Sequence, residues 1–126
     1  MNQPAAAIEV KSLRKTYGSL EAVAGIDVVL HQAAIPSVPR SVVDPIASHR
    51  ANVDATLNVL VAARDAGVRR VVYAASSSVY GDSPELPKHE DMPTRPQSPY
   101  ALQKLTGEQY CGLFASLRSE EHTSEL

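Results

Sequence analysis

Two apolar runs bracket a long stretch with helical periodicity, and this strand, helix, strand order constrains the fold more than any other feature. The runs are Asp27 to His31 (DVVLH) and Arg70 to Ala75 (RVVYAA). Branched residues without polar alternation suit strands buried in a parallel sheet. Between the runs, Asp44 offers an N-cap and Pro45 stands at the first helical position. Ile46, Val53, Leu57, Leu60 and Val61 recur at helical spacing and mark one apolar face. Gly67 supplies the C-terminal cap. Such a βαβ unit implies parallel strands joined by a right-handed crossover. Pro36 and Pro39 predict a loop after the first strand, and Gly81, Pro84, Pro87, Pro93 and Pro96 predict a longer one after the second. Ser98-Pro99 then caps a last helix, expected from Tyr100 to about Leu117.

Composition narrows the functional classes. The net charge is −2, with Lys and Arg scattered, so there is no basic footprint for nucleic acid. A single cysteine, Cys111, cannot close an internal disulfide, and it falls in an apolar helical pattern that suits packing. The four histidines lack metal-ligand spacing, so no metal is expected. No apolar run approaches the roughly 18 residues that span a bilayer. The N-terminus lacks the apolar core of a signal peptide. A cytoplasmic protein without membrane partners is the expectation.

One constellation carries chemistry. Tyr100 and Lys104 stand four apart on the last predicted helix and share a face. A free tyrosine titrates near 10, so a tyrosine base needs help of roughly 4 kcal/mol at neutral pH. A lysine ammonium one turn away favours the phenolate and supplies part of that. The run Ser76-Ser77-Ser78 follows the second strand directly. That is the carboxyl end of a parallel strand, where open α/β sheets place their ligands. A tyrosine and lysine at this spacing also occur as ordinary surface pairs, so the surrounding sequence has to decide.

The surrounding sequence resembles the extended short-chain dehydrogenase/reductase family. The likeness runs through VLHQAAIPSVPRSVVDPI, ANVDATLNVLVAARDAGVRRVVYAASSSVYGD and LPKHEDMPTRPQSPYALQKLTGEQY. It is greatest to the NAD-dependent UDP-hexose and UDP-N-acetylhexosamine 4-epimerases. The resemblance implies an α/β fold, here a fragment of a Rossmann-type doubly wound sheet with two strands and two long helices. It implies Tyr100 as catalytic base. Lys104 would stabilise the tyrosinate and bond the nicotinamide ribose, and Ser76 would contact the sugar at carbon 4. Ser77 and Ser78 would join Ser76 in binding the sugar. Ala33, Ala34 and Asn52 would lie near the NAD, beside Tyr100 and Lys104. For Asn52 a buried amide bonding a neighbouring backbone is the alternative, and for the two alanines simple core packing. The implied reaction is transient oxidation at carbon 4 of a UDP-sugar, and the implied assembly is a homodimer. Dehydratases of the superfamily carry Thr-Asp-Glu where this chain has three serines, and serine cannot protonate a leaving hydroxyl. Reductases and decarboxylases remain alternatives. Ser37 and Ser41 fall in a segment resembling epimerases that accept N-acetylated sugars.

Both ends read differently. Ala6 to Gly25 (AAIEVKSLRKTYGSLEAVAG) resembles the N-terminus of an ABC-transporter ATP-binding subunit, with Tyr17 at the adenine-stacking position and Ile8 to Val10 as a strand start. No GxxxxGK[ST] phosphate loop follows, so ATPase function is not expected. Arg118 to Leu126 (RSEEHTSEL) resembles a translated sequencing adapter and carries no apolar period. A chimeric, non-functional reading frame is therefore the competing account of the chain. The expected organisation is an irregular or foreign segment at 1–26, a partial NAD-dependent epimerase/dehydratase domain at 27–117 and a structureless tail at 118–126. A glycine-rich GxxGxxG turn and the acidic residue that reads the adenosine ribose do not occur before Asp27. The C-terminal substrate domain is not in this sequence either, so the polypeptide alone is expected to be inactive.

Overall fold

A computed structural model describes residues 15–17, 20–23 and 26–123, with side chains from 26 to 118. In chain order the elements are β1 (Lys15–Tyr17), β2 (Leu20–Val23), β3 (Val28–His31), α1 (Val38–Val43), α2 (Pro45–His49), a π-helical turn (Arg50–Asp54), α3 (Ala55–Asp65), β4 (Arg70–Tyr73), a 3-10 turn (Ser77–Tyr80) and α4 (Pro99–Thr123). β1 and β2 pair antiparallel and close at Tyr17 opposite Leu20. Ile8 to Val10, expected as a strand start, lies outside the described residues. No helix among the described residues is long and apolar enough to cross a membrane.

β3 and β4 are the two expected parallel strands, with Val28 opposite Arg70 and His31 opposite Tyr73. Because side chains alternate across a strand, this register puts Val29, His31, Val71 and Tyr73 on one face. That face is covered by α3 and α4. The expectation of fully buried strands does not hold for the other face, where Val28 and Leu30 are 47% and 65% exposed and Val72 is also open. No described element packs there.

The helical region is more divided than its periodicity predicts. Ser37 caps α1 by accepting the N–H of Arg40 at 3.2 Å. Pro39 sits in the first turn, where a missing N–H costs nothing. The two prolines thus open a helix where a loop was expected. Asp44 ends α1 through its N–H to the Arg40 carbonyl at 2.9 Å and starts α2 by accepting the Ala47 N–H at 3.0 Å. Gly67 adopts a positive φ of 68° past the end of α3, as its place in the sequence predicts.

The buried stripe of this helical run is polar. Ser48, Asn52, Thr56 and Leu60 recur every four residues and are all buried, with Val53 and Ala63 beside them. Ile46, expected on the apolar face, is exposed, while Leu57 and Val61 are only half-buried. Apolarity alone misplaced the face because small polar residues here find partners inside. The Asn52 amide accepts the Ile35 N–H at 2.7 Å and donates to Gln103 Oε1 at 2.9 Å and to the Ile35 carbonyl at 3.3 Å. Ser48 donates to the same Gln103 oxygen at 2.8 Å. One amide therefore ties the loop after β3 to α4.

Thr56 donates its single hydroxyl proton to the Asn52 carbonyl at 2.6 Å. Its oxygen must then accept from His31 Nε2, 2.9 Å away. This puts a proton on His31 Nε2. Burial, and after it the Lys104 charge, holds His31 below its usual 6.5.

α4 begins as expected, with Ser98 accepting the Ala101 N–H at 3.1 Å and Pro99 at the first position. It runs on to Thr123, beyond the expected end at Leu117 and into the segment expected to be structureless. The Arg118 guanidinium donates to the Val68 carbonyl at 2.6 Å, and Arg and Glu are good helix formers.

Two outcomes test this core. Asn52→Ala strands the Ile35 N–H and one Gln103 contact, and is expected to lower the unfolding free energy in urea by about 3 kcal/mol. Ser37→Ala, which removes only an exposed cap, costs about 1 kcal/mol or less; equal losses would mean Asn52 is no clamp. The second outcome concerns pH. Since His31 binds its proton more weakly folded than unfolded, the unfolded chain holds more protons below 6.5. Stability is expected to fall as pH drops below about 6.5, and His31→Gln should flatten that decline in denaturant titrations at several pH values.

Candidate active site

The carboxyl ends of β3 and β4 face the same way because the strands are parallel, and their register is held past Tyr73 by the Ala74 N–H on the His31 carbonyl at 3.1 Å. The loop with Ala33 and Ala34 and the turn with Ser76, Ser77 and Ser78 therefore leave the sheet at one edge. Ala33 is exposed and Ala34 half-buried. Asn52 is fully engaged and grips Ile35, the next residue. It anchors the loop that presents the two alanines.

Ser76 caps the 3-10 turn. Its hydroxyl lies 2.8 Å from that of Ser78 and accepts the Ser78 N–H at 3.3 Å. Ser77 is exposed. Gly81 follows with a φ of 60°, and a Cβ there would collide with the Arg95 carbonyl. This close approach lets the Arg95 N–H reach the Val79 carbonyl at 2.7 Å, folding the proline-rich loop back onto the serine turn.

Tyr100 and Lys104 lie one turn apart at the start of α4, which packs on β4 and the serine turn. Tyr100 is half-buried, and its N–H is taken by Ser41 Oγ at 3.0 Å. Ser41 is completely buried and also donates to the Val38 carbonyl at 2.7 Å. Ser37 and Ser41 thus serve as helix caps in this structure. Among the described residues no hydrogen bond joins the Ser76 hydroxyl to Tyr100.

Lys104 is only 4% exposed, which is rare for a lysine without a carboxylate. Among the described residues its ammonium makes no hydrogen bond or ion pair. It stands 4.3 Å over the Tyr73 ring. Burial pulls it below the ordinary lysine range. Burial and the neighbouring Cys111 and Tyr100 push the Tyr73 phenol up to about 12, so Tyr73 stays neutral. A lysine with little exposure, a displaced titration and free donors is the kind of group that functional sites hold. Tyr73 and Gly107, which seats the Tyr73 ring, were not singled out from the sequence. A glycine interrupting a strong helical pattern was the available signal.

No cluster of three or more His, Cys, Asp or Glu suited to a metal occurs among the described residues. A cavity of about 390 Å³ is lined by Leu60, Ala63, Val68, Val71 and Phe114 at the other end of β4 and includes no candidate catalytic residue. Cys111 lines it too, and burial raises its thiol, in keeping with a packing role.

Comparison with known proteins follows the same residues. The UDP-glucose 4-epimerase of Mycolicibacterium smegmatis is 48% identical over 92 residues, which cover 72% of this chain and 29% of that protein. Among solved structures, the UDP-N-acetylglucosamine 4-epimerase of Methanobrevibacter ruminantium, in complex with UDP-N-acetylmuramic acid, superposes with a TM-score of 0.69 at 39% identity over 71% of this chain and 29% of that one. The UDP-glucose 4-epimerase of Thermus thermophilus, in complex with NAD, superposes with a TM-score of 0.68 at 39% identity, covering 72% and 30%. The chain thus spans about three tenths of the length of the relatives it matches. The model of the NAD dependent epimerase/dehydratase family matches residues 9–118, and the chain belongs to that family.

Proposed function

We propose that this chain carries the catalytic segment of a UDP-sugar 4-epimerase. The observation that supports it most is Lys104, a side chain only 4% exposed whose ammonium keeps free donors one turn from Tyr100, at the carboxyl edge of the parallel strands. Three uncommitted N–H groups fit the hydroxyls of a nicotinamide ribose, and small Ala33 and Ala34 leave room beside the strand end for a flat dinucleotide. Bound there, NAD would supply a reversible hydride acceptor for carbon 4.

The chain's own residues move and hold the proton. Tyr100 takes it from the 4-hydroxyl and gives it back to the same oxygen after the 4-keto sugar has turned over to present its opposite face. Lys104 favours the phenolate electrostatically across one helical turn. Ser76, at the strand end, orients the 4-hydroxyl, with Ser78 holding the Ser76 hydroxyl in place. Ser77 faces outward and is free to meet the rest of the sugar. The absence of a carboxylate among these three serines favours epimerisation over water elimination. A homodimer would use the exposed Leu102 and Leu113 of α4 together with Ile46 of α2. The 126-residue polypeptide alone is proposed to bind NAD weakly and to turn over no sugar, because its sequence offers no glycine-rich pyrophosphate turn.

The test is a graft. Residues 28–117 replace the matching segment of the Mycolicibacterium relative, and interconversion of UDP-glucose and UDP-galactose is assayed. Activity is expected in the graft, with Tyr100→Phe lowering kcat by about 10²–10⁴-fold. An inactive but folded graft, or an active Tyr100→Phe graft, would overturn the assignment. Calorimetric titration of the isolated chain with NAD is expected to show no tight binding.

A further inference from the structure

Gly107 stands in the middle of α4, where glycine costs about 1 kcal/mol relative to alanine. Its backbone does not require glycine, since positive φ occurs only at Gly67 and Gly81 among the described glycines. The demand is steric. A Cβ at Gly107 would lie 2.6 Å from Tyr73 Cζ, and it would also collide with the Tyr73 hydroxyl. The ring therefore lies in a recess of the helix surface, three residues past Lys104.

The ring is held from its other side as well. Its centroid is 5.7 Å from that of His31, tilted by 38°. The phenol donates to the Lys104 carbonyl at 3.5 Å. Above it, Lys104 Nζ is 4.3 Å from the ring centroid, within the range of cation–π attraction. An aromatic face attracts an ammonium without neutralising it and leaves all three N–H groups to point elsewhere. A carboxylate in the same place would take both the charge and the donors.

We propose that Tyr73 is a positioning residue for Lys104, its ring being the platform that sets the place of the ammonium and Gly107 the recess that admits the ring. The assignment of Lys104 to catalysis rests on the reading above, but the platform itself is measurable without turnover. The titratable groups around Lys104 are His31 from β3, Tyr73 from β4 and Cys111 along α4, with Tyr100 and Glu108 acting on Tyr73 and Glu108 also on Cys111. His31 and Tyr73 are neutral near pH 7, and burial keeps the Cys111 thiol protonated. The ring face is thus an attraction the ammonium keeps while the Cys111 thiol is protonated, Cys111 raising Lys104 only as a thiolate.

The experiment follows the Lys104 Nζ resonance of the full chain, labelled with ¹⁵N-lysine, against pH, with Lys104→Arg giving the assignment. The native midpoint is expected below that of free lysine. Tyr73→Phe, which keeps the ring, should leave it in place. Tyr73→Met, which fills space without a ring, should lower it by about one unit, tenfold in the protonation constant. Gly107→Ala, which displaces the ring and removes no side chain, should lower it in the same direction. The platform is refuted if Tyr73→Phe falls as far as Tyr73→Met, if Gly107→Ala leaves the midpoint unmoved, or if the native Lys104 titrates like free lysine. A silent graft with these shifts intact would refute the catalytic reading alone.

Discussion

The Asn52 side chain is the contact on which the rest of the arrangement depends. It meets two elements distant in sequence, the loop after β3 through Ile35 and α4 through Gln103, and the preceding helical turn through Ser48. A buried amide is costly to leave unpaired, so its partners are obligatory. By satisfying it they fix the position of α4 against the sheet. Gln103 precedes Lys104 directly, so holding Gln103 places the backbone from which the Lys104 side chain extends. The Asn52 carbonyl then orders Thr56, and Thr56 orders His31. A line of polar contacts beneath the strand ends thus takes the place of a purely apolar core.

Polar interiors specify geometry more sharply than they stabilise it. Apolar contacts tolerate sliding, whereas each hydrogen bond here has one donor and one acceptor in place. That suits a region whose task is to hold Tyr100 and Lys104 at a strand edge. Ser41 shows the same logic at the other end of the contact. Its hydroxyl links the Val38 carbonyl of α1 to the Tyr100 N–H, so the candidate base is anchored through its own backbone. The uncovered face of β3 and β4 lies opposite this polar network and takes no part in it.

Much of this was legible from local signals. Asp44-Pro45, Gly67 and Ser98-Pro99 act within a few residues of themselves, and their sequence chemistry predicted the helix ends that are found. The strand pair followed from its branched apolar runs. The buried face of the long helical run did not, because Ser48, Asn52 and Thr56 look solvent-facing until their partners on α4 and β3 are known. For the same reason the part of Tyr73 was hidden: a tyrosine at a strand end becomes a platform only when a glycine on a remote helix makes room. α1 is hard to read from its prolines, which signal a loop as readily as a helix start; Pro36 stands just before the Ser37 cap and Pro39 in the first turn. The site residues Tyr100, Lys104 and Ser76 were nominated by resemblance, and the structure adds the burial of Lys104 and its ring contact, which spacing alone does not contain.

The close fit of Gly107 against Tyr73 has a consequence for how such chains can change over generations. A methyl group at 107 meets the ring unless the residue at 73 has already become smaller. The reverse order is open, since a smaller residue at 73 leaves glycine unharmed. Two positions far apart in the chain therefore form one heritable trait with a preferred order of steps, and the aromatic must yield first.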